Sequence, residues 1–288
     1  MRLVTFKSAD FPPKVGLISD ERVVGIAVTN NPYPDMIEVI RAGIESVSKK
    51  SAETYALSDV QLLAPIPVPA KNIICVGKNY YEHAAEFHAS GFDSSAGKDA
   101  IPEVPIIFTK PPTTVIGPGA AIQSALDLTN SVDYENELVV VIGKRGRGIR
   151  KGDALSHIFG YTIANDVTAR TLQHRHKQWF LGKGLDTFCP MGPCILTADE
   201  VADPSELTLT TRVNGEIRQS ARVADLIFDI STLIEIISSG MTLDAGDMIA
   251  TGTPAGVGIG FQPPRFLRPG DVVSLSIDPI GTLENPVT

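Results

Sequence analysis

The spacing of apolar and polar residues changes several times along the chain. Residues 2–28 hold three short β-branched runs, RLVTF, KVGLIS and RVVGIA, separated by charged, Gly-containing and Pro-containing turns, the pattern of a small antiparallel unit. Between 35 and 48, Met36, Val39, Ile40 and Ile44 recur at helical spacing and predict a helix. Pro65, Pro67 and Pro69 then crowd into LLAPIPVPAKN, extended chain that resists helix and marks a boundary. The expected division is a small N-terminal α/β domain over 1–68 and a larger domain over 69–288.

The larger part is strand-rich. NIICVG, VPIIFTK, ELVVVIG, IFGYTIAND, CILT, LTLTTRVNG, DMIATG and DVVSLSI all read as strands. Helices are few, one predicted at 167–177 and one at about 229–239, the second with Ser231 or Thr232 near its start and Gly240 past its end. Strand and helix do not alternate, which argues against a TIM barrel and a dinucleotide-binding sheet and leaves a β-rich α+β sandwich, roll or barrel. The polar stretch EFHASGFDSSAGKDAIPE, 86–103, is long for a connection and reads as a lid or an excursion.

Composition narrows the partners. The 288 residues are 43% hydrophobic and 20% charged, with a formal net charge of -8, so a sizeable core is expected and a basic footprint is missing. The one short basic run, KRGRGIRK at 144–151, reads as a solvated turn, so nucleic acid is not an expected partner. The N-terminus lacks the pattern of a signal peptide. The longest apolar stretch, 225–239, is interrupted by Asp229 and Glu235, so no membrane span is expected. Cys75, Cys189 and Cys194 are odd in number and scattered, as suits reduced thiols in a cytoplasmic protein.

Four stretches could carry chemistry. In VDYENELVVVIG, Asp133, Glu135 and Glu137 alternate on the approach to an apolar strand, so all three carboxylates share one face and repel. A hard divalent cation would relieve that repulsion, with Asp166 as a third ligand; a solvated strand face and a helix-capping Asp166 are the plain alternative. In GKNYYEHAAE, a helix starting near Tyr80 sets His83 and Glu86 on one face as a candidate general base and its orienting carboxylate, unless they are an incidental surface pair. In WFLGKGLDTFCPMGP, Lys183 lies between two glycines, free to approach another group or simply placed in a surface turn. DMIATGTPAGVGIG lacks a Walker lysine; Thr253 and nearby N–H groups could hold a carboxylate, or the turn could be structural.

In order, CVGKNYYEHAAE, FTKPPTTVIGPG, VDYENELVVVIGK, GYTIANDVTAR, WFLGKGLDTFCPMGP, RVNGEIRQ and GMTLDAGDMIATGTPAGVG resemble the successive motifs of the fumarylacetoacetate hydrolase family over about 72–275. The resemblance implies a mixed β-sandwich roll, usually a homodimer, with Mg²⁺ or Mn²⁺ held by Glu135, Glu137 and Asp166. It implies that Asp133 serves by hydrogen bonding rather than ligation and that His83 and Glu86 form the catalytic dyad of the lid-bearing branch. Lys183 would be the lysine beside the metal, with Tyr80, Lys110, Gly252 and Thr253 at the substrate. The activity it implies is metal-dependent cleavage of the C3–C4 bond of a 2,4-dioxo acid, an acylpyruvate or a diketo-deoxy sugar acid, to pyruvate and a carboxylic acid. The alternatives are an oxaloacetate or dienoate decarboxylase, isomerase or hydratase on the same site, and a non-catalytic ligand-binding member. Contacts to the distal end of the 2-oxo acid substrate are expected within 88–105.

Overall fold

The computed structural model describes residues 1–29, 31–93 and 100–288. The N-terminal β-branched runs form β1 (Arg2–Ser8), β2 (Phe11–Ser19) and β3 (Arg22–Ala27), followed by α1 (Met36–Ala42) and β4 (Ser48–Ala56). The capping box of Asp35 and Glu38 starts α1, and Gly43 at φ 81° ends it, so Ile44 falls outside the helix that its spacing suggested. Past β5 (Gln61–Leu62) and the proline run come β6 (Ile73–Gly77), α2 (Tyr81–Ala89), β7 (Ile106–Lys110), β8 (Val115–Ile116), β9 (Val132–Asp133), β10 (Asn136–Ile142), β11 (Ile158–Asn165) and β12 (Thr168–Ala169). The chain continues through α3 (Arg170–His176), α4 (Phe180–Lys183), β13 (Cys189–Thr197), β14 (Thr208–Val213), β15 (Glu216–Arg222), α5 (Ile230–Ser238), β16 (Met248–Ala250), β17 (Val272–Ile277) and β18 (Gly281–Pro286).

Several boundaries differ from expectation for local reasons. Thr168 and Ala169 pair with β9, which delays the helix expected from 167 until Arg170. Asp229, not Ser231 or Thr232, caps α5, its side chain accepting from Thr232 N. Residues 86–89 of the expected lid belong to α2, and 94–99 of it lie outside the described residues.

The large sheet runs β4-β3-β2-β1-β13-β11-β10-β16-β6-β7, and a four-stranded antiparallel sheet runs β15-β14-β17-β18. β16 pairs parallel with β6, β8 joins β13 in parallel off this order, and the other pairs in that order are antiparallel, so the fold is the mixed, β-rich α+β type. β10 is buried along its whole length, which explains why ELVVVIG reads as a continuous apolar run. Leu138, Val140 and Ile142 point into one core with α5 and the four-stranded sheet, while Val139 and Val141 point into a second core with α1. Both cores also take residues from β1, and β1 pairs with β13. Sheet and core are therefore continuous across the boundary expected near residue 68.

The topology brings four chain segments to one end of the large sheet. Antiparallel pairing sets Glu137 opposite Ala164, so Asp166, two residues on, comes opposite Glu135 and on the same face. Parallel pairing of β6 and β16 sends both strands the same way, and the Lys78–His83 corner and the Gly252–Thr253 turn emerge side by side.

Candidate active site

Glu135, Glu137 and Asp166 each offer a carboxylate oxygen within 4.8 Å of the other two, and all three are buried. Asp166 caps no helix: α3 begins after Ala169 and has no side-chain cap. Buried carboxylates need compensation, and cations surround these three. Lys183 Nζ reaches Glu135 Oε2 at 2.7 Å and Asp166 Oδ2 at 2.6 Å, and Lys110 Nζ reaches Asp166 Oδ1 at 2.7 Å. Both lysines are at most 1% exposed, so Lys183 lies in no surface turn. Lys110 is further tied to the carbonyls of Val167 and Lys183, which fixes it beneath the acids.

Arg170, which sequence reasoning did not single out, bridges Asp133 and Glu135 with Nε to Asp133 Oδ2 at 2.9 Å and Nη1 to Glu135 Oε1 at 2.6 Å. A charged residue four positions beyond Asp166 in an otherwise buried stretch was the available signal. Asp133 does not join the cluster of three; it also accepts from Gly258 N at 2.7 Å and Ile259 N at 3.2 Å. It binds the 258–259 turn to the acidic strand.

The charges do not balance. Among the described residues, Asp133, Glu135, Glu137 and Asp166 face Lys110, Arg170 and Lys183, one cation short. Burial alone would raise the Glu135 carboxyl, but Arg170, Lys183 and His83 outweigh it and hold the group at about 2. Glu137 goes the other way: burial, then the charges of Asp166 and Glu135, push it well above the usual range. Its hydrogen-bond partner is the backbone N–H of Gly252, 3.0 Å from Oε2. A hard divalent cation fits this arrangement, since three hard oxygen donors converge where one buried negative charge lacks a counter-charge.

α2 delivers His83 to the same place. His83 Nδ1 lies 3.1 Å from Glu86 Oε2, as the spacing of three predicted, and Glu86 Oε1 accepts from Gly256 N at 2.9 Å. With Glu86 accepting at Nδ1, Nε2 is the nitrogen left to exchange protons. Phe87 and Trp179 pack with Val257 and Ile259 to seat the helix. Gly260 allows that seat, because a Cβ there would come within 1.9 Å of Glu86 Oε1.

His83, Glu135, Glu137, Lys183, Arg170 and Thr253 line one small pocket, with Lys78, Gln173 and Trp179 also in its wall. Gly252, at φ 109°, lets the turn pass close to Asn79 and places its N–H on Glu137. Tyr80 is not in this wall. It packs in the larger core, its buried hydroxyl has no hydrogen-bond partner among the described residues, and it borders a separate cavity with Glu82, Ser220, Asp225 and Pro254. Burial, with Glu137 and Asp225 adding to it, pushes the Tyr80 hydroxyl pKa upward. Part of the stretch expected to meet the distal end of a substrate, 88–105, lies outside the described residues.

Residues 72–288 match the family model for the C-terminal region of fumarylacetoacetate (FAA) hydrolase. The chain belongs to the fumarylacetoacetate hydrolase family. Among relatives, the oxaloacetate tautomerase YisK of Bacillus subtilis is 57% identical over 234 residues, covering 81% of this chain and 75% of that protein. The mitochondrial oxaloacetate tautomerase fahd2 of Xenopus laevis is 40% identical, covering 100% of this chain and 90% of that protein. Among solved structures, the fumarylacetoacetate hydrolase of Exiguobacterium antarcticum is similar with a TM-score of 0.83 at 43% identity, covering 100% of this chain and 99% of that one. The 2-hydroxyhepta-2,4-diene-1,7-dioate isomerase of Mycobacterium marinum follows with a TM-score of 0.78 at 37% identity, covering 100% and 98% of the two chains. No helix among the described residues is long and apolar enough to cross a membrane.

Proposed function

We propose that this family member is an oxaloacetate tautomerase, moving a proton between carbon 3 and the 2-oxo oxygen of a short 2-oxo dicarboxylic acid. The observation that carries this reading is one acid–base nitrogen, His83 Nε2, at a small pocket shared with the carboxylate cluster and Lys183. Keto–enol exchange needs one proton lifted from carbon and one placed on oxygen, which a single positioned imidazole with a polar oxygen site performs. C–C hydrolysis, the activity expected from sequence, needs an activated water as well. The two tautomerase relatives support the isomerising alternative over hydrolysis.

In this mechanism His83 takes the C3 proton, and Glu86 stabilises the imidazolium that forms. The electron pair moves to the 2-oxo oxygen, giving an enolate beside Lys183, and the His83 imidazolium then gives its proton to that oxygen, which completes the enol and restores neutral His83. In the reverse direction His83 takes the enol O–H proton and returns it to carbon 3. Arg170, whose buried Nη2 has no hydrogen-bond partner among the described residues, has a donor to offer a substrate carboxylate. Glu135, Glu137 and Asp166 would hold Mg²⁺ or Mn²⁺, which supplies Lewis-acid stabilisation of developing negative charge.

The test follows the ultraviolet absorbance of enol-oxaloacetate and pyruvate release in parallel, and adds a panel of 2,4-dioxo acids. Accelerated loss of the enol without stoichiometric pyruvate supports the reading. Pyruvate and a carboxylic acid from a dioxo acid, with no effect on the enol, would replace it with hydrolysis.

A further inference from the structure

Gln219 lies on β15 and does not line the pocket, yet its amide ties three parts of the site together. Nε2 donates to Thr253 Oγ1 at 2.8 Å and to Pro254 O at 2.7 Å. Oε1 accepts from Thr211 Oγ1 at 2.8 Å and from the backbone N–H of Asn136, between the two glutamates, at 3.3 Å. The orientation of this amide follows from chemistry: a Pro carbonyl can only accept and a backbone N–H can only donate, so nitrogen must face Pro254 and oxygen must face Asn136. Gln219 is 1% exposed, so reversing the amide would leave buried groups mismatched, at a cost no solvent relieves.

One consequence reaches the pocket. Thr253 Oγ1 is obliged to accept from Nε2, and its own hydrogen has no acceptor among the described residues. Thr253 is 2% exposed and lines the pocket with Glu135, Glu137 and His83. We infer that Gln219 is a positioning residue that fixes the Thr253 hydroxyl as a hydrogen-bond donor into the pocket, set to receive a carboxylate oxygen of the substrate. The inference rests on the reading that this pocket takes a 2-oxo acid, and it adds the residue that sets the polarity of one subsite. Its contact with Asn136 N makes the same amide hold the donor in register with the carboxylate strand.

The test is a double-mutant cycle read by calorimetric binding of oxalate, a planar dianion that mimics an enolate of a 2-oxo acid and reports binding whatever the reaction. Gln219→Glu presents an acceptor where Nε2 was, which draws the Thr253 hydrogen away from the pocket. Thr253→Val removes the hydroxyl at nearly constant shape. Each single change is expected to weaken oxalate about tenfold to a hundredfold, as loss of a hydrogen bond to a charged acceptor does. Thr253→Ser should stay within about threefold of wild type, and Gln219→Glu added to Thr253→Val should cost less than about twofold more. If Gln219→Glu fails to fold, Gln219→Met completes the same cycle. An undiminished Gln219 effect in the Thr253→Val background, or full oxalate affinity in Thr253→Val, would overturn the inference alone. No oxalate binding by the wild type would instead sink the 2-oxo acid reading on which it stands, whereas the predicted coupling without tautomerisation of oxaloacetate would sink only the proposed reaction.

Discussion

Replacing Glu137 by Gln should make the metal-free protein more stable while abolishing its response to metal. Glu137 is the carboxylate with no ion pair among the described residues: Lys183 and Arg170 serve Glu135, Lys183 and Lys110 serve Asp166, and Glu137 has the Gly252 N–H. Burial and two neighbouring anions raise its folded-state pKa well above the unfolded value, so at neutral pH the ionised form opposes folding. An isosteric amide keeps the volume and an acceptor for Gly252 and removes the charge. Relief of an uncompensated buried charge is worth about 1–3 kcal/mol. At roughly 2–4 °C per kcal/mol for a chain near this size, the melting temperature in EDTA should rise by about 2–12 °C. Wild type at a metal concentration near 100 Kd should gain about 2.7 kcal/mol, and the variant should gain almost nothing. The sign with pH is also fixed. A raised carboxylate pKa penalises the folded state above that pKa and not below the ordinary value, so the advantage of Glu137→Gln should shrink as pH falls toward about 4.3. Thermal melts in EDTA and in Mg²⁺ across pH decide the matter. A variant that melts lower than wild type in EDTA and keeps the metal-induced rise would refute the charge accounting.

Other outcomes follow from the same geometry. His83→Asn should lower kcat by about 10²–10⁴ while the metal-induced rise in melting temperature persists; loss of that rise would place His83 in metal binding instead. Arg170→Met leaves Asp133 and Glu135 buried without their shared cation and should cost about 3–5 kcal/mol, part of it recovered by adding Asp133→Asn; chemical denaturation checks both. Leu138→Ala, in the core that joins the large sheet to the four-stranded one, should cost about 2–5 kcal/mol and leave oxalate affinity unchanged in the folded fraction.

Periodicity located most strands because β-branched runs bounded by Gly and Pro are local signals. It gave no warning of β15, whose EIRQSAR buries Gln219 and half-buries Arg218 and Ala221 only through pairing with β14. The acids were legible as a problem: Asp133, Glu135 and Glu137 on one strand face demand compensation. Which groups compensate was legible only through the family resemblance, which set Lys183 beside the metal and Lys110 at the substrate and gave no sign of Arg170. Lys110, Arg170 and Lys183 come from three separate elements, and only the β10–β11 register and the parallel β6–β16 pair bring them together. The His83–Glu86 pair was readable because spacing of three on a helix is local, whereas Gln219 matters through partners on Asn136, Thr211, Thr253 and Pro254. Tyr80 shows the opposite limit, since a residue next to a site motif can still turn its side chain into the core.

The most direct test of the central claim is exchange of the C3 hydrogens of oxaloacetate in D₂O, followed by NMR, with wild type and His83→Asn, each in Mg²⁺ and in EDTA. Exchange above the buffer rate is expected only with wild type and metal together, before any pyruvate accumulates. Exchange by His83→Asn at the wild-type rate, or pyruvate appearing as fast as deuterium enters, would contradict it.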